Sequence, residues 1–271
     1  MSKLPTAITS LQNPKLKLLL SLASRAARNK SGLFVVEGVR LAEEAARFGE
    51  NISFGLFTPE LLTAERGAAL IDALRARRVT LYETTDKIMA RASEVETSQG
   101  IILVVAQNNR ALDELKLSAN PLLIVLDRVQ DPGNVGAILR IADAAGVDAV
   151  IAVRGTADIF GGKAIRSAMG AQFHLPIVKD VALSALADFF QAQKITAYAG
   201  LPAREAMPFY AADYNRAAVI FGNEGGGIDE SLAARSVAVH IPMYGRAESL
   251  NVSTAAAIIV YEALRRRHGW G

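Results

Sequence analysis

The sequence predicts an α/β protein with a parallel sheet in its C-terminal half and a smaller α/β domain before it. Three observations lead there. Short apolar runs alternate with stretches of helical periodicity along most of the chain. The C-terminal runs are apolar at nearly every position, as strands covered on both faces must be, and that requires parallel strands joined by helical crossovers, a Rossmann-like sheet. Between the two halves, residues 108–120 are polar, charged and poor in large apolar side chains, so they read as a linker between a domain over 1–107 and another over 121–271.

In the first domain, Asn13 to Ser24 reads as a helix with Leu16, Leu19, Leu20 and Ala23 on one face and Lys15, Lys17 and Ser21 elsewhere. Arg25-Ala-Ala-Arg-Asn-Lys-Ser-Gly32 follows as a basic loop. Then come strand Phe34 to Glu37, helix Val39 to Arg47, strand Ile52 to Phe57, helix Ala64 to Arg75, strand Val79 to Tyr82, helix Thr85 to Ala92 and strand Ile101 to Val105. In the second domain the strands are Leu122 to Leu126, Ala149 to Val153, Ile195 to Ala199, Ala217 to Phe221 and Val237 to Ile241. Helices fall near Val135 to Ala145, Lys163 to Met169, Leu183 to Gln193 and Val252 to Arg266.

Composition narrows the function. With 51% hydrophobic residues and a mean hydropathy of +0.23, the chain can bury well-filled cores. No apolar run approaches the roughly 18 residues of a membrane span, and the start, Met1-Ser-Lys-Leu-Pro5, lacks the apolar core of a signal peptide, so a cytoplasmic location is expected. There is no cysteine, and His174, His240 and His268 are scattered, so neither disulfides nor a metal site is expected. A net charge of +3 and a pI of 9.2 admit an RNA partner without requiring one. Among the basic clusters, Arg75 to Arg78 and Arg265 to Arg267 read as solvated helix faces or ends. The Arg25 to Gly32 run is the better candidate for RNA, because Arg25, Arg28 and Lys30 can neutralise successive phosphates; an ordinary solvated loop is the competing reading. Aromatic residues make up only 6% of the chain, which argues against a base-stacking platform and for recognition by shape and phosphate.

Three loops carry the chemistry. Phe221-Gly-Asn-Glu-Gly-Gly-Gly-Ile228 begins where an apolar strand stops, and its glycines let the backbone turn tightly and approach a ligand. Ile241-Pro-Met-Tyr-Gly-Arg-Ala-Glu-Ser-Leu-Asn-Val-Ser253 also follows a strand and places Glu248, Ser249 and Asn251 just before a helix, where capping accounts for one polar residue but not three. The stretch from Leu126 through Asp131-Pro-Gly-Asn134 repeats the plan of strand end, Pro-Gly turn, asparagine and helix. A nicotinamide dinucleotide is the competing ligand for such glycine loops, but no G-x-G-x-x-G joins a first strand to a helix, and Asn223-Glu224 puts a carboxylate where pyrophosphate would sit.

Taken together, Asn134-x-Gly136-Ala-Ile-x-Arg140, Gly222-Asn-Glu-Gly-x-Gly227 and Ile241-Pro-Met-x-Gly-x-x-Glu-Ser-Leu-Asn-Val-Ser253 resemble the three motifs of the SpoU/TrmH family of S-adenosylmethionine-dependent RNA ribose 2′-O-methyltransferases. The resemblance runs from Pro121 to about Arg267, and Ile8-Thr-Ser-Leu-Gln-Asn-Pro14 is similar to the start of members with an N-terminal RNA-binding domain like ribosomal protein L30e. It implies a deep C-terminal trefoil knot, a homodimer with the cofactor sites at its interface, and ribosomal RNA as substrate, with tRNA as the near alternative. A non-catalytic RNA-binding protein that keeps the fold is the alternative of another class.

By the same resemblance, main-chain groups of Gly222, Ile241 and Leu250 hold the adenosyl moiety, with Gly200 and Leu201 adjacent. Arg140 is the residue the family uses for catalysis, often described as a general base. A guanidinium with a pKa above about 12 is a poor base near neutrality, so a bidentate clamp on the phosphate beside the target ribose is the better expectation. A surface arginine paired with Asp131 or Asp143 is the plain alternative. Asn134 and Glu224 carry over as structural and substrate-orienting residues, and Ser249 and Asn251 as residues that position substrate or the arginine. Arg166, in Lys163-Ala-Ile-Arg-Ser167, matches a segment bordering the site and is a candidate for phosphate. Gly226 and Ala247 stand where the family often has larger residues, which leaves the specificity of the pocket open.

Overall fold

The computed structural model describes residues 7–49, 51–201 and 205–269, so the Met1 to Pro5 start read above for a leader lies outside the described residues. The chain forms two compact units, Met1–Asn108 with Phe160–Phe173, and Asn109–Ile159 with His174–Gly271. No helix among the described residues is long and apolar enough to cross a membrane.

The first unit begins with α1 (Pro14–Ser21), α2 (Arg25–Ser31), β1 (Leu33–Glu37), α3 (Val39–Phe48), β2 (Ile52–Phe57), α4 (Glu65–Ala76), β3 (Leu81–Glu83), α5 (Asp86–Ala92) and β4 (Ile101–Ala106). Its sheet runs β1-β4-β2-β3, antiparallel except for β2 beside β3. Leu16 and Leu19 of α1 pack with Phe54, Leu56, Ile102 and Val104 on one face of that sheet.

The expected basic loop is a helix. The Ser24 hydroxyl accepts from Ala27 N–H at 3.1 Å at its start, and Gly32, at φ +66°, ends it in the left-handed conformation that glycine adopts without strain. Arg28 turns inward, only 7% exposed, and its guanidinium donates to the carbonyls of Leu22 at 2.6 Å and Ala23 at 2.9 Å. Its charge is therefore spent satisfying orphan carbonyls after α1, and only Arg25 and Lys30 of the three keep an exposed position.

The second unit begins not at 121 but at Asn109, with Leu112, Leu115 and Leu117 packed on its core, and the chain goes on to β5 (Leu122–Asp127), α6 (Pro132–Ala145) and β6 (Ala149–Val153) before returning to the first unit as α7 (Gly162–Ala168). There α7 packs against β1, and the Phe34 ring lies 5.0 Å from Phe160 and 6.0 Å from Phe173. The second unit is completed by β7 (Ile177–Val181), α8 (Leu183–Gln193), β8 (Thr196–Gly200), β9 (Met207–Pro208), β10 (Ala217–Gly222), α9 (Glu230–Ala233), β11 (Val237–His240) and α10 (Val252–His268). Strand β7 has no counterpart in the sequence reading, because Lys179 and Asp180 interrupt its apolar run. It lies at one edge of the sheet, where charge is tolerated and discourages further pairing.

The seven strands are ordered β7-β6-β5-β10-β8-β11-β9 and are all parallel. Every residue of β5 is buried, as its unbroken apolar run requires. After β8 the chain runs to the far edge as β9 and returns to the middle as β10, between β5 and β8. Strand β11 then enters between β8 and β9, inside the segment already laid down, and α10 leaves it to pack on α6. The C-terminal arginines secure this crossover: Arg266 donates to the Tyr210 carbonyl, and Arg267 to those of Asn120 and, at 3.4 Å, Tyr214.

Candidate functional site

At the carboxyl ends of β8, β10 and β11 the loops enclose a cleft of about 680 Å3, within the roughly 300–1,000 Å3 typical of small-molecule sites. Its apolar wall comes from Phe221, Ile228, Val239, Ile241, Val252 and Ile259. Its polar rim comes from Asn223, Glu224, Glu248, Ser249 and Asn251, and Gly200, Leu201, Gly222 and Leu250 complete the lining. Among the described residues, two carboxylates and no lysine, arginine or histidine line it. That donor set suits a ligand carrying positive charge and does not suit a pyrophosphate, which requires donors and cations.

The loop after β10 owes its shape to Gly222, Asn223 and Gly227. Asn223 and Gly227 exchange both main-chain hydrogen bonds at 2.9 Å, so a Cβ on Gly222 would lie 2.5 Å from the Gly227 carbonyl carbon. Gly227 has φ +67°, whereas Gly225 and Gly226 have neither a positive φ nor a close neighbour. The Asn223 side chain organises the rest: Oδ1 accepts from Gly225 N–H at 2.9 Å and Gly226 N–H at 2.7 Å, while Nδ2 donates to the Arg128 carbonyl at 3.0 Å. An asparagine opening a glycine run after a strand is the visible signal for such a turn.

One hydrogen-bonded chain joins the three loops. The Glu224 carboxylate accepts from Gln130 N–H at 3.0 Å, Asp131 N–H at 3.2 Å and Asn134 Nδ2 at 2.9 Å. Asn134 Oδ1 in turn accepts from Asn251 Nδ2 at 3.0 Å. Asn251 Oδ1 caps α10, accepting from Ser253 N–H at 2.8 Å and Thr254 N–H at 3.4 Å. Burial pulls the Glu224 carboxyl upward, but the main-chain donor of Gln130, the Asn134 amide and the main chains of Glu224 itself and Asp131 together hold it below the usual carboxylate range. It is a carboxylate at neutral pH, fixed in place.

Beneath the loop lies a pair with no precedent in the sequence reading. Asp127, at the end of β5 and fully buried, is the register partner of Gly222 and accepts from Asp229 N–H at 2.6 Å. Arg128, at φ +56°, folds back onto the Asp127 carboxylate at 3.0 Å and reaches Asp229 at 3.6 Å. Residue 127 thus meets the loop twice, its main chain beside Gly222 in the sheet and its buried carboxylate on Asp229 N–H just after Gly227.

Residues 121–261 match the SpoU rRNA Methylase family, and residues 13–103 match the MRM3-like substrate binding domain. The chain belongs to the SpoU family. It is 36% identical over 256 residues, 94% of this chain and 97% of the other, to a 23S rRNA (guanosine(2553)-2′-O)-methyltransferase, RlmP, of Bacillus subtilis. It is 28% identical over 252 residues, 91% of this chain and 87% of the other, to a 23S rRNA (uridine(2479)-2′-O)-methyltransferase of Streptomyces viridochromogenes. The crystal structure of an AdoMet-bound rRNA methyltransferase from Sinorhizobium meliloti superposes with a TM-score of 0.84 at 28% identity, covering 97% of this chain and 98% of that one. SpoU membership makes the chain an S-adenosylmethionine-dependent RNA 2′-O-methyltransferase. The threading of β11 and α10 past the β8–β10 segment is the SpoU trefoil knot.

The residues expected to hold the SpoU cofactor, Gly200, Leu201, Gly222, Ile241 and Leu250, all line the cleft, as do Glu224, Ser249 and Asn251. Asn134 reaches them through its hydrogen bonds. Arg140 does not: it is exposed on α6, about 9 Å along the helix axis from Asn134 and outside the cleft lining. Arg166 lies in the first unit, where it pairs with Glu94 at 3.3 Å. Arg25, Arg28 and Lys30 are also in that unit, on α2.

Proposed function

We propose that this chain methylates a ribose 2′-hydroxyl of 23S ribosomal RNA in the cytoplasm, as a homodimer, with the cleft above β8, β10 and β11 as its cofactor site. The carboxylate-bearing lining at the carboxyl ends of the parallel strands carries this reading. Two relatives that extend over both units are named for 23S rRNA, and a third is named for tRNA/rRNA. S-adenosylmethionine, when bound, supplies an electrophilic methyl group on a positively charged sulfonium, and Glu224 and Glu248 give that charge a favourable surrounding. Gly222, Ile241 and Leu250 offer main-chain groups to the adenosyl moiety. Asn134, Glu224 and Asn251 form a fixed polar wall that orients the ribose, and Ser249 adds a hydroxyl on the same side.

Arg140 clamps the phosphate next to the target ribose, and the hydroxyl proton leaves to phosphate or solvent as the methyl moves. Its place outside the cleft of its own chain fits a site completed at an interface between two copies. Arg25 and Lys30 on α2 supply phosphate contacts from the substrate-binding unit, while Arg28 serves the fold.

The reading is tested with purified protein, unmodified 23S rRNA and S-adenosylmethionine carrying a heavy methyl label. Nuclease digestion and mass spectrometry should find the label in one 2′-O-methylnucleoside. Label on a base, or unlabelled RNA despite bound cofactor, would contradict it.

A further inference from the structure

The loop from Ile241 to Asn251 sends Ile241, Met243, Glu248 and Ser249 into the cleft, but not the residues between Met243 and Ala247. Tyr244 is 96% exposed, and Arg246 is exposed as well. Neither side chain has a hydrogen bond, ion pair or ring contact among the described residues. Gly245 between them has nothing within 4 Å of where a Cβ would be. An aromatic ring left wholly in water forgoes the burial that rings normally obtain, and here it does so one residue from the cleft wall.

The reaction decides what meets that rim. A 2′-hydroxyl delivered to the cleft brings its nucleotide along: the base is attached at C1′, the neighbouring ring carbon, and the 3′-phosphate is joined on the other side. A nucleotide whose ribose is inserted has its base drawn out of the stack, and an exposed base face is stabilised by an aromatic ring whatever its identity. Tyr244 and Arg246 are at most about 7 Å apart along the chain, so one loop can present a ring to the base and a guanidinium to the phosphate.

We propose that Tyr244 stacks on the base of the target nucleotide while Arg246 contacts its phosphate, so that this loop holds the substrate nucleotide at the mouth of the cleft. The proposal rests on the reading of the cleft as the methyl-transfer site. It makes Tyr244 a substrate-positioning residue with little preference among bases, and leaves base identity to be read elsewhere.

The test uses the full-length protein with unmodified 23S rRNA, comparing Tyr244→Ala, Tyr244→Phe and Arg246→Gln. Tyr244→Ala should raise KM for RNA roughly tenfold, the scale of one lost base–aromatic stack, and leave calorimetric S-adenosylmethionine affinity at the wild-type value. Tyr244→Phe, which keeps the ring, should restore the wild-type KM. Arg246→Gln should weaken RNA binding and reduce its log–log salt slope by about one contact. An RNA KM within twofold of wild type for Tyr244→Ala, or a Phe variant as impaired as the Ala variant, would overturn the stacking role. A Tyr244→Ala protein that sediments as a monomer while the wild type is a dimer would assign the ring to an interface between copies instead and would also overturn it. Wild-type protein that binds no S-adenosylmethionine would count against the cleft reading itself, which the calorimetric arm reports separately.

Discussion

Arg140 has a guanidinium with no hydrogen bond or ion pair among the described residues, and the two carboxylates that could have claimed it are engaged elsewhere. Asp131 caps α6, accepting from Gly133 N–H at 2.6 Å and Asn134 N–H at 3.0 Å, and Asp143 holds His174 at 2.9 Å. A plain surface ion pair is therefore not what keeps an arginine there. A base is not the answer either, because a guanidinium stays protonated across the range in which proteins work. With a phosphate clamp, Arg140→Ala should lower the single-turnover rate by about a hundredfold or more, the scale of a lost positioning and electrostatic contact, with cofactor affinity nearly unchanged. Arg140→Lys should recover part of that rate with a pH profile parallel to wild type. A lysine variant whose rate climbs tenfold per pH unit toward its own pKa would restore the general-base assignment.

The loop after β10 depends on what stands under it. Asp127 accepts the Asp229 N–H and the Arg128 guanidinium from a fully buried position. Asp127→Ala would orphan the Asp229 N–H, which costs about 1–3 kcal/mol for a buried donor, while Arg128 keeps Asp229 at 3.6 Å. Because that carboxylate fixes the turn just after the Gly222 to Gly227 loop, KM for S-adenosylmethionine should rise more than kcat falls. Asp127→Asn, which still accepts one N–H, should be intermediate in both melting temperature and KM. Equal KM values in all three proteins would remove Asp127 from the site.

The cleft loops themselves were legible in the residues, since glycines, asparagines and carboxylates after apolar strands have few structural uses together. The Asp127–Arg128 pair was not, because an acid followed by a base at a strand end looks like the usual polar exit. Helix α2 was misread for a related reason. Its basic composition suggests a loop, although Ser24 and Gly32 stand where a helix start and stop belong. What periodicity could not show is distance: nothing local says that Arg28 faces inward, that Phe160 to Phe173 belong to the first unit, or that β11 enters between β8 and β9.

The proposed homodimer would bring Arg140 of one copy to the cleft of the other. Gly222→Val removes the cofactor loop's geometry and keeps Arg140; Arg140→Ala keeps the loop. Co-expressed with different tags and purified as a mixed dimer, two such inactive chains should regain a fraction of wild-type activity, because one intact cleft then meets one intact Arg140. A mixed dimer as inactive as either parent would place Arg140 at the cleft of its own chain. If the carboxylate-bearing cleft built by the knotted loops holds S-adenosylmethionine, calorimetric titration of the purified protein should show it. One molecule of S-adenosylmethionine should bind per chain, Gly222→Val should abolish the heat while the protein remains folded, and NADH should give none; a folded wild-type protein that binds NADH, or that fails to bind S-adenosylmethionine, would contradict it.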